Sequence, residues 1–423
     1  SVRSRQGPLT IRFINKDLRT RSCVFDFIGI SPHLRINAFG HFETLHKVLF
    51  FALQKDQDFS ELYYLGSALD KNVQAWFTPS IPTTTTSTVP WSSKKLYIHF
   101  LKIVEKSKSE VTIIHIYEGN IYWLLILGKV IRKTENTYLY INFFKGEKYR
   151  RLRMDALKKF YFRSIFKIVS GDIADRIVFT ADSLASAKIL TSITRQNFIR
   201  YPLFSAFQEF QFENRNSRKI LCLLRGKTAS DLIYQVAKEL PNETKERLTV
   251  HGVLSTTQET DLKKQGFIIS KAHLDFLQYK NFFESFSRII FMYDPAEFGL
   301  DSSGRLCDAL VTGKEVFVPR NSALEEDSMI YEGVNCYKFG DQIELAKILN
   351  LEVFESMRYQ NPPTVAKSIS EIKSGILLKK NVKSKVPSKA NVLLRDITIH
   401  LIWLSYGIGR IFFGARRYLF GAK

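Results

Sequence analysis

Cysteine is scarce in this chain of 423 residues. Cys23, Cys222, Cys307 and Cys336 are scattered, and no two stand at metal-ligand spacing. That excludes a zinc-organised module and a disulfide-stapled scaffold, and it predicts reduced thiols. Acidic residues are also in short supply: 41 Asp and Glu face 62 Lys and Arg, a net charge of +21. A surplus of that size points to a polyanionic partner, whether nucleic acid, an anionic membrane or phosphorylated ligands. No recognisable RNA or DNA module and no aromatic-basic repeat accompanies the charge, so nucleic acid ranks last and is not an expected partner. The start, SVRSRQGPLTIRF, is basic but carries no sustained apolar run, so no secretory signal is read there. The expectation is a cytoplasmic protein, peripherally associated with the inner face of a membrane.

Apolar residues make up 45% of the chain, and its length exceeds what one core ordinarily organises. From Leu9 to Phe207, strand-like and helix-like pieces alternate. LTIRFIN, ELYYLGS, EVTIIHIYE, TYLYINFF and RIVFTADS read as strands, and FETLHKVLFFALQK, KLYIHFLKIVEKSK, IYWLLILGKVIRK and RMDALKKFYFRSIFKIVSGDIAD read as helices. The Thr/Pro stretch TPSIPTTTTSTVPW, residues 78–91, reads as a loop. QEFQFENRNSR, residues 208–218, reads as a hinge, after which the pattern restarts with KILCLLRG and ASDLIYQVAKEL. Such alternation predicts parallel sheets covered by helices on both faces. The predicted fold class is α/β, with two tandem Rossmann-like doubly wound domains over residues 1–207 and 218–350. A closing helical segment over 351–375 and a basic linker with an amphipathic helix over 376–423 complete the chain.

The stretch DSSGRLCDALVTGKEVFVP, residues 301–319, reads as the crossover of a βαβ unit that follows the strand RIIFMYD. Ser302 and Ser303 are N-cap residue types, Leu306, Ala309 and Leu310 share one helical face, and Gly313 stands where a C-cap glycine would. A helix start offers unpaired N–H groups and a partial positive charge, which suits a phosphate.

Residues 218–350 resemble the nucleotide-sugar domain of GT-B glycosyltransferases, specifically the large retaining, glycosyltransferase family 4-like group. The resemblance is carried, in order, by KILCLLRGKTASDLIYQVAKEL, HLDFLQYKNFFESFSRIIFMYDP, SSGRLCDALVTGKEVFVP and EEDSMIYEGVNCYKFGDQIELAKIL. It implies that Arg225 and Lys227 hold the donor diphosphate, that Ser302, Ser303 and Gly304, beside Arg305, cradle phosphate, and that Asp308 accepts hydrogen bonds from the ribose. The first acidic position of that family's motif falls on Leu300, with Asp301 and Glu297 as substitutes. In the first domain the resemblance implies a sugar-side role for His115, at a strand end facing the cleft, with Glu118 as its catalytic companion. Tyr117, Asn120 and Gly40 are acceptor-side candidates. For His115 a core position, and for Gly40 a plain turn, are the competing readings. Asp56 and Asp58 form a DxD, but in a polar turn after a helix, so no metal or other cofactor is expected.

The tail differs in kind. Lys379, Lys380, Lys383, Lys385 and Lys389 lead into LLRDITIHLIWLSYGIGRIFFGARRYLFGAK, where Ile397, Leu401, Leu404, Ile408, Ile411, Ala415 and Leu419 form one helical face. A helix lying in an anionic membrane surface is the expectation for residues 376–423, with a spanning helix and a packed C-terminal helix as alternatives. Together these readings predict an enzyme, a hexosyl- or deoxyhexosyltransferase. It would move sugar from a nucleotide-sugar donor to a lipid-linked or polysaccharide acceptor at the cytoplasmic membrane face, with retention following from the resemblance. A catalytically silent GT-B scaffold of a glycan-assembly complex is the alternative.

Overall fold

The computed structural model describes residues 9–14, 25–31, 48–49, 51–53, 55–66, 84–86, 93–107, 109–143, 146–205, 207, 218–226, 228–252, 254–270, 276–330, 336–350 and 363–381. The expected amphipathic helix lies outside them, as does the expected hinge at residues 208–218 apart from its last residue. The described strands are β1 (Leu9–Ile14), β2 (Phe25–Ser31), β3 (Phe59–Gly66), β4 (Thr84–Thr86), β5 (Val111–Gly119), β6 (Thr137–Phe143), β7 (Ile177–Ala181) and β8 (Phe198–Arg200), followed by β9 (Ile220–Arg225), β10 (Leu248–His251), β11 (Ile268–Ser270), β12 (Arg288–Tyr293), β13 (Glu315–Pro319) and β14 (Cys336–Phe339).

They form an eight-stranded sheet, ordered β4-β1-β3-β2-β5-β6-β7-β8, and a six-stranded sheet, ordered β11-β10-β9-β12-β13-β14. Every pairing from β3 across to β8 is parallel, as is the whole second sheet. The molecule is thus two Rossmann-like doubly wound units in tandem. Strand alternation fixes which side chain meets which layer. In the first sheet Ile28, Ile30, Ile114 and Ile116 face a core with Phe100, Trp123, Phe166 and Leu190, while Phe25, Phe27, Val111 and Ile113 face the opposite one with Leu49 and Leu53. In the second, Ile220 and Cys222 face Ile233 and Val236, and Leu221 and Leu223 face Phe283 and Leu306.

Several local expectations need correction. Thr84–Thr86, inside the stretch read as a loop, pairs antiparallel with β1; three β-branched threonines in succession suit an extended edge. The helix read from Arg153 onward is two, Gly146–Met154 and Ala156–Ser170, because Asp155 adopts an extended conformation and its carboxylate accepts the Lys158 N–H at 2.9 Å. Helix Leu184–Thr194 and β8 follow β7, where the alternation was expected to end. Their short repetitive sequence, LASAKILTSIT, offers little polar contrast to betray a helical face.

Past the second unit the chain returns to the first. Helix Val365–Lys380 lays Val365, Ile369, Ile372 and Ile376 on the core that contains Phe27 and Tyr140. The boundary expected between residues 375 and 376 therefore falls inside one continuous helix, held by its buried stripe. Lys373 bridges Asp56 (2.9 Å) and Asp58 (2.7 Å), and Lys380 reaches Glu110 (3.0 Å). The DxD pair thus has its charge met by an ammonium that anchors this helix.

Candidate functional site

In an open parallel sheet a crevice opens at the carboxyl ends of two neighbouring strands whose following connections leave in opposite directions. In the second sheet those strands are β9 and β12. They pair in parallel from Arg288 with Ile220 to Tyr293 with Arg225, after which β9 leads outward to β10 and β12 leads to β13 on the other side. Arg225 and Tyr293 therefore end side by side at the mouth of the crevice. In the first sheet the equivalent point is between β2 and β5, which pair in parallel from Phe25 with Val111 to Ile30 with Ile116.

At the second crevice Arg225 is half-buried, its guanidinium 4.1 Å from the Phe298 ring centroid and 5.5 Å from that of Tyr293. Two rings orient the cation, and among the described residues no carboxylate pairs with it. Asp294, the residue after β12, ties the surrounding loops together. Its N–H donates to the Arg225 carbonyl at 2.7 Å, and its carboxylate accepts the N–H groups of Thr228 (3.1 Å) and Ala296 (2.9 Å). Burial works against that charge, but the N–H groups of Thr228 and Ala296, with the Thr228 hydroxyl, outweigh it and hold the carboxyl below its usual range. Gly226, between Arg225 and the next loop residue, has φ +101°, and a Cβ there would stand 2.3 Å from the Asp294 Cβ. Neither Asp294 nor Gly226 was picked out from the sequence, although an acid closing an apolar strand and a glycine following one were both visible signals.

Helix Gly304–Val311 begins at the same crevice. Ser303 is its N-cap but makes no side-chain cap bond, and its hydroxyl instead pairs with the Tyr293 hydroxyl at 3.1 Å. Tyr293 thus links Arg225 to the start of this helix. The Ser302 hydroxyl donates to the Asp182 carbonyl of the first unit. Both serines are buried, so the capping role expected of their side chains is replaced by bonds to the neighbouring structure, and the helix start at Gly304 carries no side-chain cap.

One expected ligand contact is corrected. Asp308 is fully buried, and its carboxylate accepts the Ser205 hydroxyl at 2.7 Å across the junction of the two units, which leaves it no surface for a ribose. Arg305 is partly exposed, with its guanidinium 5.9 Å from the Tyr279 ring centroid. Burial disfavours its charge, yet Tyr279, Tyr293 and Asp308 outweigh that and hold the guanidinium protonated. Leu300 packs against the first unit's core, and its carbonyl accepts the hydroxyls of Ser183 (2.6 Å) and Ser186 (3.0 Å).

On the first-unit side, His115 does not reach the cleft. It lies mid-strand, level with Gly29 and Tyr140. Alternation turns it onto the face covered by helix Val365–Lys380, where it is fully buried between Phe27 and Tyr140 and its Nε2 lies 3.0 Å from the Tyr201 hydroxyl. Tyr117 is buried against the Tyr201 ring at 4.9 Å, and the Asn120 side chain caps helix Ile121–Lys133 by accepting the Trp123 N–H at 3.1 Å. Glu118 lies in β5 with its side chain outside the described residues, and Gly40 and Lys227 lie outside them altogether.

Lys314, just after Gly313 (φ +68°), is buried and donates to the carbonyls of Glu284 (3.3 Å) and Phe286 (2.6 Å). Burial lowers its ammonium from 10.5 to about 8, against the opposing pull of Glu284. Between those two values the unfolded chain binds the extra proton, so stability rises with pH there and the burial penalty is complete below about 8. Denaturant midpoints measured from about pH 8 to 10 should show that rise, worth at most about 3 kcal/mol, in the parent protein and not in Lys314→Met.

No protein-family model and no curated protein matches the chain. Among solved structures, a glycosyltransferase from Rickettsia africae ESF-5 is similar at 13% identity and TM-score 0.50, over 84% of this chain and 93% of that one. The UDP complex of S. aureus MnaA is similar at 14% identity and TM-score 0.47, over 86% and 99%. The UDP-GlcNAc 2-epimerase of Neisseria meningitidis, bound to UDP-GlcNAc, is similar at 12% identity and TM-score 0.43, over 84% and 99%. At these identities the likeness is one of fold, and the fold is GT-B.

Proposed function

We propose that this chain is a nucleotide-sugar-dependent glycosyltransferase, moving a hexosyl or deoxyhexosyl unit with retention to a lipid-linked or glycan acceptor at the inner face of a membrane. The observation that carries the reading is Arg225: a guanidinium with no carboxylate partner among the described residues, clamped between Phe298 and Tyr293 at the switch point of a doubly wound sheet. Departure of a nucleoside diphosphate builds negative charge on its oxygens. Arg225 can meet that charge bidentately, and the uncapped amides at Gly304 add fixed dipoles. Lys227 would add a second cation from the same loop. The GT-B likeness to a glycosyltransferase supports the reading at the level of fold.

A second reading, a silent GT-B binding subunit, is favoured by Leu300 and Asp308. The first is apolar and packed, and the second is occupied by Ser205. Titration calorimetry against UDP, GDP, dTDP and CMP, followed by an assay for nucleotide release from the matching sugar in the presence of lipid-linked acceptors, separates the two. Selective binding with acceptor-dependent release is expected. Binding without release would establish a silent binding subunit, and no binding to any nucleotide would remove the transferase and leave the silent scaffold.

A further inference from the structure

We propose that the corner between helices Gly146–Met154 and Ala156–Ser170 is a docking surface for an anionic lipid bilayer. Met154 is 84% exposed, Leu157 81%, Phe160 70% and Tyr161 60%. Leu157, Phe160 and Tyr161 are spaced i, i+3 and i+4, so they share one outward face, and Met154 adjoins it across the Asp155 corner. The inward face of the same helix is already used: Phe162, Ile165, Phe166 and Val169 pack on the first unit's core. The helix thus carries one apolar stripe that folding buries and a second that it leaves in water. Single exposed apolar residues are ordinary, but four bulky ones grouped together mark an interaction site.

Charge identifies the occupant. Residues 148–161, KYRRLRMDALKKFY, hold six Lys and Arg and a single acid, Asp155, which pairs with Lys158 at 2.8 Å. Arg151, Arg153 and Lys158 are exposed around the apolar group. Apolar side chains ringed by cations suit insertion below anionic headgroups. A nucleic acid would use the cations but has no use for Met154 and Leu157, which present no ring for a base to stack on.

The surface also borders the crevice. Arg150 donates to the Ala296 carbonyl at 3.3 Å, and Ala296 belongs to helix Pro295–Phe298, whose last residue lies under Arg225. Docking through this corner would set the mouth of the crevice beside the headgroups, where a lipid-linked acceptor could enter without leaving the bilayer. That last step rests on the sugar-transfer reading, whereas the docking itself does not.

The test attaches an environment-sensitive dye to Leu157→Cys in the full-length chain. Cys23→Ser and Cys336→Ser remove competing thiols, since Cys222 and Cys307 are buried. A dye at Lys238→Cys, exposed on helix Ala229–Glu239, serves as the remote control. With vesicles containing about one-third phosphatidylglycerol, the dye at 157 should shift to the blue and be quenched by nitroxide lipids. Phosphatidylcholine vesicles should leave it unchanged, as should either vesicle for the dye at 238. Leu157→Ser/Phe160→Ser and, separately, Arg151→Gln/Arg153→Gln should each weaken vesicle binding by about tenfold or more, with an unchanged unfolding midpoint. The proposal is overturned if the chain binds no vesicles, if it binds them while the dye at 157 stays in water, or if that dye answers a duplex oligonucleotide and not lipid. Nucleotide calorimetry on the same proteins keeps the two readings apart, because dye insertion without nucleotide binding would leave the docking standing and remove the transferase.

Discussion

Arg225→Ala is expected to weaken binding of the cognate nucleoside diphosphate by about 10- to 150-fold, the loss of roughly 1.5–3 kcal/mol of charge-assisted hydrogen bonding. The fold should be little affected. The side chain is half-buried, and what it contributes to stability is its stacking on Phe298 and Tyr293, about 0.5–1 kcal/mol. Arg225→Lys should recover part of the affinity, because it restores a charge but not the planar fork. Asp308→Ala supplies the contrast. Its carboxylate is committed to Ser205, so that variant should lower the unfolding midpoint, and nucleotide affinity should hold at temperatures where the protein stays folded. Calorimetry of the three variants beside the parent reads all of this. Unchanged affinity in Arg225→Ala would place the diphosphate somewhere other than the β9–β12 crevice.

The strands were legible because parallel strands buried on both faces are written as near-continuous apolar runs; ILCLLR and RIIFMY are such runs and became the central pair of the second sheet. Their order in the sheet, and with it the crevice at whose mouth β9 places Arg225, came only with the tertiary fold; it was the resemblance that had singled out Arg225. The far end of each polar side chain could not be read either. His115 and Asp308 both looked available, and both are taken by hydroxyls distant in sequence, Tyr201 and Ser205, in the segment that follows β8. No spacing rule links residues that only the tertiary fold brings together. The same holds for Lys373, whose pairing with Asp56 and Asp58 depends on the chain returning from the second unit to the first. The outward stripe at Leu157, Phe160 and Tyr161 escaped notice for a different reason. In sequence it is continuous with the apolar residues that do pack, and only accessibility divides the helix into two faces.

Gly226→Ala should have the largest effect of any small substitution in the crevice. At φ +101° an L residue is strained, a cost of about 1–3 kcal/mol by itself. The added methyl would also stand 2.3 Å from the Asp294 Cβ and 3.3 Å from the Phe298 Cδ2. A Cβ has no rotamer by which to step aside, so the backbone at Asp294 must move, and with it the carboxylate that holds the N–H groups of Thr228 and Ala296 and the ring beneath Arg225. Gly266→Ala is the matched control, since its φ is +93° but a Cβ there would meet nothing closer than 3.9 Å. Strain alone should cost both variants about the same, so urea unfolding should place Gly226→Ala about 1–3 kcal/mol below Gly266→Ala, the range for overpacking a filled site. Nucleotide binding should survive in Gly266→Ala and be lost in Gly226→Ala at temperatures where both are folded. Equal unfolding costs would mean that the β9 loop yields freely, and a loop that yields freely could not preorganise a guanidinium for a leaving diphosphate.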